Sequence, residues 1–180
     1  MKFLRFAVLA LVPALLVLAA TTSHAAESAK TKIARAMSAG PASIAANATV
    51  VDLNKGKATV LRKGTNGFTC IPGHPGMVGD DPMCLDAQSM QWASDWMAHK
   101  PAPTNTKPGV TYMFAGGTDY SMTDPWPKPG KQVYKTPPHW MILWPFDPKA
   151  SGLPSAFQSA GTFVMFKGTP YAHLMIIGKP

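Results

Sequence analysis

Residues 86–100 read Asp-Ala-Gln-Ser-Met-Gln-Trp-Ala-Ser-Asp-Trp-Met-Ala-His-Lys and form the clearest single element of the sequence. Asp86 is a favourable N-cap, no Gly or Pro interrupts the stretch, and Pro101 ends it. Apolar side chains recur at helical spacing, so they share one broad face of an amphipathic helix; they are Met90, Trp92, Ala93, Trp96 and Met97. We predict that the two tryptophans pack against a sheet rather than present a surface to a ligand, because buried Trp contributes strongly to core stability.

The stretch that precedes this helix contains the two cysteines of the chain. Cys70 and Cys84 enclose Ile-Pro-Gly-His-Pro-Gly-Met-Val-Gly-Asp-Asp-Pro-Met, whose Gly and Pro residues disfavour regular structure. The pattern of residues 1–25, described below, predicts export, and two cysteines in an exported chain form a disulfide by default because the compartment is oxidising. We therefore predict a Cys70–Cys84 disulfide that closes this loop.

Outside this region, short apolar runs rich in β-branched residues predict a sheet. The predicted strands are Thr49–Leu53, Ala58–Arg62, Val110–Ala115, His139–Trp144, Thr162–Lys167 and Tyr171–Ile177, of which the first two and the last two form hairpins. Residues 30–39 predict a short helix, whereas residues 101–109 and 116–138 are rich in Pro and Gly and predict loops. The fold class we predict is α+β, with a mainly antiparallel sheet, one principal amphipathic helix and long Gly/Pro-rich loops.

The N-terminal residues indicate export. Lys2 and Arg5 precede an apolar run over Phe6–Ala20, and small residues then fit cleavage after position 25. The run is shorter than the roughly 20 apolar residues that a membrane span requires. We therefore predict a signal peptide over residues 1–25 and a single exported domain over residues 26–180. This domain should contain no transmembrane segment and should be periplasmic or secreted.

Charge and missing motifs limit the possible function classes. The chain has 17 Lys and Arg against 9 Asp and Glu, a formal net charge of +8, but the basic residues form no cluster. We expect no nucleic-acid partner and at most a weak affinity for anionic polymers of the cell envelope. Glu27 is the only glutamate, and the sequence has no nucleophile elbow, phosphate-binding loop, dinucleotide fingerprint or Cys-x-x-Cys pair. These absences favour a binding domain over the familiar classes of enzyme.

The candidate functional residues are histidines and aspartates in or beside the two long loops. Long loops in compact domains are commonly functional, so we predict that the Cys70–Cys84 loop and residues 116–138 border one cleft, with His139 at its floor. The candidate binding residues are His74, Asp119, Asp124, His139 and His173. A cluster of these groups would shift the histidine pKa values and would serve binding or acid–base catalysis equally well. Catalytic residues are not assigned.

The string Phe-Thr-Cys-Ile-Pro-Gly-His-Pro-Gly-Met over residues 68–77 resembles the ligand loop of the blue-copper proteins, the cupredoxins. The resemblance implies that Cys70 supplies a thiolate, His74 an imidazole and Met77 an axial ligand. Thiolate, imidazole and thioether are soft ligands that suit copper. With Cys70 oxidised, a loose Cu(I) site of His74, Met77 and Met83 is the remaining possibility. Copper is therefore a candidate cofactor, and copper binding or electron transfer is an alternative function.

A wider resemblance rests on Arg62–Cys70 (RKGTNGFTC), Asp80–Asp86 (DDPMCLD) and Gly168–Met175 (GTPYAHLM). Together these stretches resemble an uncharacterised family of small exported bacterial proteins. The resemblance implies export and one domain, and it assigns no activity and no site residues. Our first hypothesis is a small exported binding or envelope-associated domain of unknown ligand. The alternative is a hydrolase-like enzyme of unrecognised type that uses His and Asp.

Overall fold

The computed structural model describes residues 27–180, so the predicted signal peptide over residues 1–25 lies outside the described residues. The helices are α1 (Ala29–Met37), α2 (Ala42–Ala45), α3 (Ala87–Met97) and α4 (Pro148–Ser151). The strands are β1 (Thr49–Asn54), β2 (Lys57–Arg62), β3 (Thr69–Ile71), β4 (Met83–Leu85), β5 (Gly109–Met113), β6 (Gly117–Asp119), β7 (Tyr134–Thr136), β8 (His139–Leu143), β9 (Gly161–Met165) and β10 (His173–Ile177). None of the helices over residues 27–180 is long and apolar enough to cross a membrane.

Eight strands form one sheet in the order β2-β1-β3-β4-β5-β8-β10-β9. All neighbouring pairs are antiparallel except β1 and β3, which are parallel. The predicted α+β class with a mainly antiparallel sheet is confirmed, but the sheet is mixed. The parallel pair arises because β2 pairs with one edge of β1. The chain then returns to the other edge of β1, where β3 runs in the same direction as β1. A side chain at Gly64, on this return, would collide with the backbone of Ala48.

The predicted loop over residues 116–138 contains two short strands. Gly117–Asp119 and Tyr134–Thr136 pair as a separate two-stranded antiparallel sheet. Each strand is only three residues long and shows no apolar alternation, so the sequence pattern contains no strand signal there. Gly116 precedes the first strand with φ +83°, a conformation that glycine adopts without strain.

The predicted disulfide between Cys70 and Cys84 is confirmed. The two cysteines lie directly opposite each other on β3 and β4 and are completely buried. They belong to a small-residue core beneath α1 that includes Ala36 and Val50. The bond therefore joins two neighbouring strands, and the Gly- and Pro-rich segment that it encloses connects those strands.

Helix α3 covers the opposite face of the sheet, where it packs against β4, β5 and β8. The strand register places Thr111 opposite Met141, and Met141 opposite Met175, on this face. Trp92 is 6 % exposed and packs edge-to-face against Tyr171, with ring centroids 5.1 Å apart.

Two details of α3 differ from its predicted apolar face. Trp96 is only partly buried, and its Nε1 donates a hydrogen bond of 2.8 Å to the Pro125 carbonyl. Met97 is 54 % exposed because it is the last residue of α3, after which His99 adopts a left-handed conformation (φ 52°) and the chain turns away.

Candidate functional site

A cavity of about 450 Å³ lies between α3 and the sheet face beneath it. Thr111, Leu143 and Trp92 are among its wall residues. Methionine is unusually frequent in the wall, which includes Met83, Met97, Met113, Met141, Met165 and Met175. Because the thioether side chain is flexible and polarisable, such a wall adapts to ligands of different shapes.

A second cavity of about 340 Å³ adjoins the first, and the two share Gly79, Trp96, Asp119 and Phe166 as wall residues. The loop around Trp126 forms much of its remaining wall. The indole of Trp126 stacks on the ring of His99 at 5.0 Å between centroids, and its Nε1 donates to the Trp96 carbonyl at 3.0 Å. This loop is therefore attached to the C-terminal end of α3.

His139 begins β8 and lies in the floor of the larger cavity with 2 % exposure. Its Nδ1 lies 2.8 Å from the Pro137 carbonyl oxygen. A carbonyl only accepts hydrogen bonds, so Nδ1 carries the proton and the lone pair of the neutral ring is on Nε2. Burial lowers the pKa of His139, because the charged imidazolium would lose its hydration.

His173 lies at the start of β10 in the wall of the same cavity. Its Nδ1 donates to the Tyr171 carbonyl at 2.9 Å, and its ring lies 5.3 Å from the rings of both Trp92 and Phe166. Burial, reinforced slightly by repulsion from a charged His139, lowers the pKa of His173 to about 4. Both histidines are therefore neutral near pH 7.

Asp119 ends β6 in the wall that the two cavities share. Burial, together with the nearby carboxylate of Asp81, raises the pKa of Asp119 to about 7. Asp81 is held in place because its Oδ2 accepts hydrogen bonds from Thr118 N at 2.6 Å and Thr118 Oγ1 at 2.8 Å. The Asp119 carboxyl makes no hydrogen bond or ion pair with another residue between 27 and 180.

The structure brings Asp119, His139 and His173 to one cavity and places the other two candidate residues outside it. The Nδ1 of His74 lies 2.6 Å from Asp80 Oδ2, and His74 is a wall residue of neither cavity. Asp124 is exposed and accepts a hydrogen bond of 2.9 Å from the backbone of Trp126. Its role is to stabilise a turn, which is a common use of Asp before Pro.

The ligand set that the cupredoxin resemblance implies is not assembled. Cys70 is bonded to Cys84 and has no thiolate to offer. Met77 is 59 % exposed, whereas Met83 lies in the wall of the larger cavity, to which neither Met77 nor His74 contributes. In the part of the chain that is described, no group of three or more His, Cys, Asp or Glu residues could hold a metal ion.

Several wall residues were not among the sequence-based candidates, chiefly Met113, Met141, Met175 and Trp96. The signal that could have identified the methionines is the two-residue period of the strands. His139 and Met141 are two residues apart on β8, and His173 and Met175 are two residues apart on β10. Each pair therefore points to the same face of the sheet. For Trp96 the sequence predicts packing against the sheet alone.

Comparisons of the chain with protein-family models, with curated proteins and with solved structures found no match. The cavity itself therefore has to indicate the function. Its wall is mainly apolar and contains the carboxyl groups of Asp80 and Asp119 and the two neutral imidazoles. These groups are suited to bind an apolar molecule, to recognise one polar group on it, or to transfer a proton.

Proposed function

We propose that this protein is an exported binding domain that holds a small, largely apolar molecule in the cavity between α3 and the sheet. The single observation that carries this proposal is the methionine- and aromatic-lined cavity of about 450 Å³. Ligand-binding pockets in proteins typically measure about 300–1,000 Å³, with apolar walls and a few polar groups that orient the ligand. The cavity meets both criteria.

The polar atoms in the wall support the same proposal. Five buried side-chain polar atoms between residues 27 and 180 have no hydrogen-bond partner there, and two of them, Thr111 Oγ1 and Trp92 Nε1, belong to wall residues. Burial of an unsatisfied donor costs about 1–3 kcal/mol, which natural proteins usually avoid outside functional regions. Both residues belong to the larger cavity.

Export and a periplasmic or secreted location are part of the proposal. They are supported by the basic and apolar pattern of residues 1–25 and by the oxidised cysteine pair. Intact-mass measurement of protein from the periplasm or the medium tests this location. The expected mass is that of a chain cleaved after Ala25, and retention of the whole N-terminus would contradict export.

A fluorescent probe and a cavity-filling variant test ligand binding. N-phenyl-1-naphthylamine is apolar and fluoresces more strongly in an apolar site, so its emission should rise when it binds the protein. Ala93 lines the cavity from α3, and Ala93→Leu should weaken probe binding by about tenfold or more because the added side chain occupies the cavity. The matched control is Ala87→Leu, an exposed position at the start of the same helix.

The control variant should bind the probe as the parent does, and circular dichroism should show that both variants are folded. Equal probe binding by the parent and by Ala93→Leu would place the probe elsewhere and contradict the proposal. Absence of probe binding to the parent would contradict it as well.

Acid–base catalysis of a hydrolase-like reaction is the second candidate function. It is favoured by one observation, which is that Asp119 and His139 share a cavity while their pKa values shift in opposite directions. A carboxyl group with a raised pKa and an imidazole with a lowered pKa match an acid and a base that act near neutral pH. If this candidate is correct, the protein should hydrolyse p-nitrophenyl esters, and His139→Gln should abolish that hydrolysis.

A further inference from the structure

Asp119 occupies a distinctive place because it lies in the wall common to both cavities. Trp96 and Phe166 share that wall, so the carboxyl group has aromatic rings near it on the cavity side. The backbone of Asp119 pairs with Tyr134 of β7, which fixes the residue at the end of a short strand. A molecule that extends from one cavity into the other would pass this carboxyl group.

The Asp119 carboxyl has no counter-ion among residues 27–180. The chain contains 17 Lys and Arg residues, but none of those between positions 27 and 180 lines either cavity. The acidic wall residues are Asp80, whose Oδ2 lies 2.6 Å from His74 Nδ1, and Asp119, which has the carboxylate of Asp81 nearby. The nearby imidazole of His139 is neutral near pH 7, and the ring of His99 stacks on Trp126. Although the whole chain is basic, the cavity wall therefore has an acidic character.

An ionised carboxylate in an apolar wall is unfavourable unless a cation pairs with it. The protein supplies no such cation between residues 27 and 180. We propose, on the basis of the binding function above, that the ligand itself supplies the cation: it carries a primary ammonium group that pairs with Asp119, while its apolar part occupies the methionine-lined cavity.

Three features favour an ammonium group over other cations. Aromatic faces such as those of Trp96 and Phe166 attract ammonium ions through cation–π interactions. The described residues contain no cluster of ligands for a metal ion. Finally, the apolar cavity next to Asp119 requires a ligand with an apolar part, so the ligand class is an apolar amine.

The protonation state of Asp119 agrees with this assignment. Its pKa of about 7 means that the carboxyl is neutral in a substantial fraction of empty molecules at neutral pH. An ammonium group beside it would favour ionisation, so the bound complex should lose that proton. Amine binding should therefore weaken as the pH falls from 8 to 5.5, whereas binding of a neutral ligand should change little.

The test compares two ligands of nearly the same shape by isothermal titration calorimetry at pH 8. 2-Phenylethylamine carries an ammonium group, and 2-phenylethanol is its neutral counterpart. The parent protein should bind the amine about 10- to 100-fold more tightly than the alcohol, as a charged hydrogen bond provides. In Asp119→Asn this preference should fall to within about twofold, while binding of the alcohol is retained.

The control variant is Asp147→Asn, which changes an exposed carboxylate that lines neither cavity and keeps an N-cap residue on α4. It should retain the preference for the amine. Equal binding of both ligands to the parent would overturn the ammonium proposal and leave the binding function intact. Binding of neither ligand would overturn both. A preference that persists in Asp119→Asn would also overturn the assignment, because another acidic residue would then bind the amine.

Discussion

Asp119 and His173 respond to pH in opposite directions although they line the same cavity. His173 has a pKa of about 4 in the folded protein against 6.5 for an ordinary histidine, so unfolding releases it to bind a proton between these values. The stability that depends on neutral His173 is present above pH 6.5 and is lost as the pH falls toward 4. The lowered pKa of His139 makes stability depend on pH in the same direction. Asp119 has the opposite sign, because its protonated form is favoured by folding and that stability is lost as the pH rises through about 7.

The variant Asp119→Asn should therefore make protein stability more dependent on pH. Without the opposing carboxyl, the free energy of unfolding should rise more steeply between pH 4.5 and 6.5 than it does in the parent. The full shift at His173 corresponds to about 3 kcal/mol. Urea unfolding at the two pH values measures the difference, and Asp147→Asn is the control that should match the parent. An unchanged slope in Asp119→Asn would show that the carboxyl is ordinary and hydrated.

At the scale of elements, α3 depends on a buried carboxylate at its C-terminal end. Asp95 is completely buried and accepts hydrogen bonds from Gln91 Nε2 at 3.0 Å, from Thr104 N at 2.6 Å and from Lys100 Nζ at 2.6 Å. Burial alone would raise the pKa of Asp95, but these hydrogen bonds outweigh burial and lower it. The carboxylate thus attaches the chain that follows α3 to the last turn of the helix. The helical spacing by itself places Asp95 on a polar flank of α3.

Substitution of Asp95 should be strongly destabilising. Asp95→Ala removes the carboxylate that accepts from Thr104 N, Gln91 Nε2 and Lys100 Nζ, and hydrogen bonds to a charged group contribute about 1.5–3 kcal/mol each. Lys100→Ala should cost less than about 1 kcal/mol, because the Lys100 side chain is 47 % exposed and water replaces the lost contact. Urea denaturation of the two variants measures both values. Similar losses in both would mean that the ion pair, rather than the hydrogen bonds to Thr104, holds the segment.

At the scale of the whole molecule, the disulfide links β3 and β4 near the middle of the sheet order. Both strands supply wall residues of the cavity, Ile71 from β3 and Met83 and Leu85 from β4, whereas the two cysteines belong to the core beneath α1 and do not line the cavity. The two cysteines are 14 residues apart in sequence, and a cross-link between them mainly reduces the conformational freedom of the unfolded chain. The bond should therefore stabilise the molecule without contacting the cavity ligand.

Removal of the bond in Cys70→Ala/Cys84→Ala should lower the free energy of unfolding by about 2–4 kcal/mol. The intact parent should have a mass two hydrogens below that of the dithiol form, and reduction before urea unfolding should reproduce most of the loss. Probe binding by the folded variant should match that of the parent. Two thiols that react with an alkylating reagent in the native protein would contradict the disulfide.

The elements were predictable where local chemistry is sufficient to define them. The N-cap Asp86 and the Trp spacing predicted α3, and the β-branched runs around the turn at 54–57 predicted the β1–β2 hairpin. The pair β6–β7 and the parallel contact of β1 with β3 were missed, because both depend on segments distant in sequence that carry no periodic pattern of their own. Of the candidate site residues, three reached the cavity because strand ends brought them there.

The sequence by itself determined the disulfide pair, the main helix, most strands and the α+β class, because capping, periodicity and turn chemistry act between near neighbours. Only the tertiary structure decided that methionines from β4, β5, β8, β9 and β10 share one cavity wall. Only the tertiary structure decided, too, that Asp119 has no counter-ion among residues 27–180 while Asp95 has several donors. Burial and ion pairing depend on which distant segments pack around a group, so two aspartates with similar sequence surroundings acquire opposite pKa shifts.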